Sequence, residues 1–140
     1  FESAHNHWTR IDSPEDFFFG LYYRVLILKI FFEKSLDEGL DTYETSIVNA
    51  LESLRFYLSP GRNQNMSEVN RKSYSNFVKM TRRLLRIRYS WIDKQPKKSM
   101  QRLLKDLHQT PFLEERKWLL SKTEHFLSID LKKLKKGNHN

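Results

Sequence analysis

The chain has 140 residues, 17.0 kDa, 25 Lys+Arg against 17 Asp+Glu, and a net charge of +8. That is enough chain for one domain with its own hydrophobic core, without disulfide or metal staples. Zero cysteines exclude disulfides, thiolate nucleophiles, iron–sulfur clusters and thiolate zinc sites, and four glycines with four prolines argue against a turn-dense β sandwich or barrel.

An arm, 1–13, precedes the first helix and carries Trp8, read either as packing back or as a docking peptide. Phe1 in place of Met predicts a fragment or processed chain. Ser13 then reads as an N-cap, Pro14 as the first helical position, and Gly39 as the stop of a helix from Pro14 to about Asp37. Its stretch Phe17 to Phe32 is 16 residues long and contains Arg24 and Lys29, too short and too charged for a bilayer span. Acids at Asp12, Glu15 and Asp16 precede it where a signal peptide carries bases. A helix apolar almost all round predicts a central position, covered by neighbours.

Asp41 with Glu44 reads as a capping box opening helix two, whose stripe is Tyr43, Ile47, Ala50, Leu51, Leu54 and Leu58. Pro60-Gly61 ends it, and Ser59 to Met66 reads as the most mobile internal connection. Helix three is predicted from Ser67 to about Asp93, with Tyr74, Phe77, Val78, Thr81, Leu84, Leu85, Trp91 and Ile92 inward. Helix four is predicted from Pro96 to His108, with Met100, Leu103, Leu104 and Leu107 inward. Thr110 and Pro111 read as the start of helix five, with Leu113, Leu119, Leu120, Thr123, Phe126, Leu127, Leu131 and Leu134 inward and a break at Ser128 or Asp130. The pattern predicts an all-α fold, a single five-helix bundle over 14–136 with a long basic third helix and a frayed tail at 137–140.

Charge is distributed unevenly. Residues 1–66 carry 6 basic and 10 acidic side chains, residues 67–140 carry 19 and 7, and 67–105 alone carry 12 and 2. At 100° per residue Lys72, Lys79, Arg83 and Arg86 share one side of helix three, flanked by Arg71 and Arg82, and the row spans roughly 21 Å. Helix four adds Lys97, Lys98, Arg102 and Lys105. Cations without interleaved acids repel one another, and a phosphate backbone would relieve that with salt-sensitive binding.

The expected partner is therefore nucleic acid held through its backbone, in a larger assembly and in the nucleus rather than the cytoplasm. The alternative is a docking or scaffold domain whose basic face takes an acidic or phosphorylated protein segment. No zinc-finger, RNA-recognition or KH-type signature supports base readout, and a helix-turn-helix is disfavoured by the long third helix.

No enzymatic activity, cofactor, metal or small-molecule substrate is expected. His5, His7 and His139 sit in the tails without a ligand spacing, and His108 suits a helix C-terminus. Glu124 and His125 are adjacent and point about 100° apart. Asp37–Glu38 and Glu114–Glu115 sit at helix ends, no glycine loop cradles phosphate, and no serine sits on a nucleophile elbow. Trp91 and Trp118 read as core or rim packing. Arg88 falls inside the apolar face of helix three, and a pair with Asp130 on helix five would satisfy its charge.

Overall fold

A computed structural model describes residues 14–59, 66–89 and 95–137, with side chains described for 15–59, 66–89 and 95–129. These residues form five α-helices and no strand, the all-α bundle the sequence predicts: α1 (Pro14–Glu38), α2 (Leu40–Tyr57), α3 (Glu68–Tyr89), α4 (Pro96–Gln109) and α5 (Arg116–Gly137). Contacts divide the chain into two compact units, 1–71 and 72–140.

In the first unit α1 and α2 form an antiparallel hairpin. Phe17 stacks on Tyr57 at one end, and Phe31 meets Tyr43 at the other. The corner is a single residue, Gly39, at φ 107° and ψ 137°, a conformation open to glycine and costly for other residues. Phe17, Leu21, Val25, Leu28 and Phe32 recur at three and four residues along α1 and are buried, as are Ile47, Leu51, Leu54 and Tyr57 of α2. Each such side chain contributes about 1.5–3 kcal/mol on burial. Two expectations are corrected here. Helix two starts at Leu40 with Gly39 as its N-cap and no side-chain cap bond, because the glycine corner itself turns the chain, so Asp41 lies inside the first turn. Nor is α1 covered all round. α2 packs along one side, and Phe19, Tyr22, Tyr23, Leu26 and Ile30 stay exposed.

The open end of the hairpin is locked by Tyr57. Its hydroxyl donates to the Phe17 carbonyl at 3.0 Å, its ring lies 4.9 Å from that of Phe17, and the Arg24 guanidinium sits 4.0 Å from the ring centroid. Gly20 makes this possible, since a Cβ there would stand 2.3 Å from the Tyr57 oxygen and 2.9 Å from Cζ. Gly20→Ala gains up to about 1 kcal/mol of helix propensity, yet overpacking a fixed ring costs about 1–3 kcal/mol. The overlap is deep and Tyr57 is buried, so the steric cost wins. Urea unfolding is expected to show a net loss of about 1 kcal/mol, and a gain in stability would mean that Tyr57 moves aside freely.

In the second unit α3 contributes Tyr74, Phe77, Val78, Met80, Thr81, Leu84, Leu85 and Ile87 to the core, α4 contributes Met100, Leu103 and Leu107, and α5 contributes Leu119, Thr123 and Phe126. The two buried threonines donate one turn back, Thr81 to the Phe77 carbonyl and Thr123 to the Leu119 carbonyl, each at 2.8 Å. Trp118 packs against Phe77 with ring centroids 6.1 Å apart. α5 runs unbroken past Ser128 and Asp130.

Helix five does not begin at Pro111. Thr110 closes α4 instead, its backbone N–H and its hydroxyl both bonded to the Asp106 carbonyl, at 2.9 and 2.6 Å. Residues 111–115 then form a turn in which Phe112 and Glu115 take φ of 52° and 59°. Left-handed backbone costs about 1–2 kcal/mol per residue, so the turn needs outside support. Asn76 of α3 supplies it by donating to the Phe112 carbonyl at 3.1 Å, and the Glu114 N–H donates to the Ser73 carbonyl at 3.2 Å. Arg116 holds the end of α4, donating to the carbonyls of Leu107, His108 and Thr110 at 2.9, 3.0 and 2.6 Å. Pro111 and the acids Glu114 and Glu115 imitate a helix start locally, but these tertiary bonds override the imitation.

Candidate functional site

On α3, Lys72, Lys79 and Arg86 are exposed and Arg82 half-buried on the side away from Phe77 and Leu84, and Arg83 is half-buried on the flank. On α4, Lys98, Arg102 and Lys105 are exposed, opposite Met100, Leu103 and Leu107, and Lys97 is half-buried on the flank. The amphipathic spacing produces both placements, since turning the leucines inward turns these cations outward.

One salt bridge joins the two rows. Arg83 Nη1 lies 2.7 Å from Asp106 Oδ2. Contacts linking Ser73 to Glu114, Asn76 to Phe112 and Arg83 to Asp106 run along the two segments in opposite directions. One turn further along α3 is Arg86, and one turn back along α4 is Arg102, so this antiparallel register sets them level. The bridge lies in the seam, with Lys79 and Arg86 outward on one side and Lys98, Arg102 and Lys105 outward on the other. Two basic rows separate in sequence thus become one surface, and Asp106 neutralises a single cation within it. A face with this excess of positive charge attracts polyanions and is repelled from other cations.

Arg71 stands apart. It belongs to the first unit, and its Nη1 donates to the Leu58 carbonyl, tying the start of α3 to the end of α2. Arg88 lies, as its position on the helix predicts, against the apolar side, half-buried with its guanidinium 4.8 Å from the Phe126 ring centroid. The pairing with Asp130 concerns a side chain outside those described, as do the roles of Trp8, Trp91, His5, His7 and His139. The connection 59–66 is described only at its ends, where Met66 is buried.

Sequence reasoning missed Asp106. Its one signal is a lone acid among the cations of α4, displaced by about 75° from the middle of the outer face. Among the described residues no group of three or more His, Asp or Glu side chains converges to hold a metal. The Glu114 carboxyl is held above the usual carboxylate range by burial, and secondarily by the Glu115 charge. Among the described residues, no helix is long and apolar enough to cross a membrane. Compared with family models, curated proteins and solved structures, the chain matches none of them.

Proposed function

We propose that this chain is a non-enzymatic helical module that holds the backbone of nucleic acid on the outer faces of α3 and α4, without reading base sequence. The observation that carries this reading is the 2.7 Å bridge from Arg83 to Asp106, which joins the two helices that bear the basic rows. The α3 row from Lys72 to Arg86 extends about 21 Å. Each nucleotide of a duplex strand advances about 3.4 Å along the helix axis, so the row spans the axial rise of roughly six nucleotides. Between Lys72 and Arg86 the exposed side chains of α3 include no aromatic or amide, which suits phosphate contact rather than base contact. Such a module works as part of a larger assembly, and its partner assigns it to the nucleus over the cytoplasm.

Fluorescence anisotropy with mixed-sequence duplex and single-stranded DNA and RNA, at low and at physiological salt, tests the reading. Binding is expected to be insensitive to sequence and to weaken steeply with salt, with a log–log slope of about −0.9 per neutralised duplex phosphate. Failure to bind any of these probes at low salt, together with capture of a polyglutamate or phosphopeptide probe, would replace nucleic acid by an acidic protein segment as the partner.

A further inference from the structure

On α1 the side facing away from the buried row Leu21–Val25–Leu28–Phe32 carries a second apolar row. Its members are Phe19, Tyr23, Leu26 and Ile30, at spacings of four, three and four, the spacing of a coiled-coil seam. They are 78, 63, 53 and 39% exposed, with Tyr22 exposed beside them. Single exposed apolar residues are ordinary, but a contiguous stripe of aromatic and aliphatic side chains marks an interaction surface.

The seam pattern continues past both ends of the stripe, and there it becomes acidic. One step before Phe19 is Asp16, and the steps beyond Ile30 are Glu33 and Asp37. Lys29 and Lys34 lie beside the seam rather than on it. These acids decide what fits. A second copy packed parallel and in register would set Asp16 on Asp16 and Glu33 on Glu33. Packed antiparallel, with Phe19 over Ile30 and Tyr23 over Leu26, it would set Asp16 over Glu33 at both ends. Either arrangement closes like charges at seam positions, where they oppose association. A helix with four apolar seam residues bounded at each end by lysine or arginine meets both requirements at once.

We propose that the outer face of α1 docks an amphipathic helix of another protein, in coiled-coil fashion, whose apolar seam is bounded by basic residues. The surface belongs to the first unit and the basic face of α3 and α4 to the second, and the two occupants have opposite charge. The probes are two labelled helical peptides with leucine at four consecutive seam positions, one bounded by lysines and the other by glutamines, titrated with the whole chain.

The lysine-bounded peptide is expected to bind about tenfold more tightly than its twin, with the margin shrinking at high salt. Asp16→Asn with Glu33→Gln should remove the margin and leave the glutamine-bounded peptide unaffected. Leu26→Gln with Ile30→Gln, both at exposed positions, should abolish binding of both peptides while circular dichroism keeps the wild-type helicity. Equal affinity for the two peptides, or no binding of the lysine-bounded one, would overturn the proposal. So would sedimentation showing a dimer that Leu26→Gln with Ile30→Gln dissolves, which makes a second copy the occupant. Binding to anionic vesicles lost in that same double variant would make the face a lipid-surface contact instead.

Discussion

Replacing Lys79, Arg86 and Arg102 together by alanine is expected to reduce affinity for duplex DNA by about 500-fold at 0.1 M salt, if each contacts one phosphate. Each neutralised duplex phosphate contributes about 0.9 to the slope of log affinity against log salt, so three lost contacts flatten it by about 2.7. Projected from 1 M to 0.1 M, that slope gives the stated factor. All three residues are exposed, so thermal unfolding should remain close to wild type. Arg83 is left intact because it is bonded to Asp106, and its loss would confuse binding with the joining of α3 to α4. An unchanged slope in the triple variant would reduce the basic surface to a solvated exterior. A uniform loss across DNA sequences would support backbone contact, whereas a loss confined to some sequences would point to base readout.

The second large effect is expected in the core beneath that face. Phe77 is fully buried, pairs with Trp118 at 6.1 Å, and stands one turn from the buried Thr81. Phe77→Ala removes the ring and leaves a cavity that its neighbours collapse into only in part, which costs about 3–5 kcal/mol. Urea unfolding measures this, and near-UV circular dichroism should lose part of its aromatic signal as the Trp118 environment loosens. A loss under about 1 kcal/mol would mean that the site repacks and that Phe77 is not central to this unit. The two variants separate the faces of one helix, since the first should change binding without stability and the second stability first.

Much of this architecture is legible in the chain. Lys79 and Leu84 fall on opposite sides of α3 by periodicity alone, and Pro96 marks the first residue of α4, where its missing N–H costs nothing. Legibility fails where a distant bond decides a local choice. Thr110-Pro111 has the residues of a helix start, but Asn76 and Arg116, separated from it in sequence, hold the segment as a turn. Asp41 and Glu44 have the residues of a capping box, but a glycine two positions earlier already begins the helix. The outer stripe of α1 was hidden for another reason. Apolar residues on both sides of a helix read as deep burial, and pattern alone does not distinguish a neighbour of the same chain from a neighbour on another. In the basic surface each row is readable by itself, whereas their merging depends on the register that Arg83 and Asp106 record.

The corner at Gly39 gives the first unit a choice between two shapes. With that residue at φ 107° the chain doubles back and the two apolar rows face each other. A side chain there would make the bend cost about 1–3 kcal/mol and would favour helical backbone straight through. α1 and α2 would then fuse into a rod about 66 Å long. Phe17 and Tyr57 would lose each other as close neighbours, and two such rods could recover the buried surface by exchanging halves. The missing methyl at Gly39 therefore works against swapping of helices between copies, because it lets the hairpin close on itself without strain at the corner.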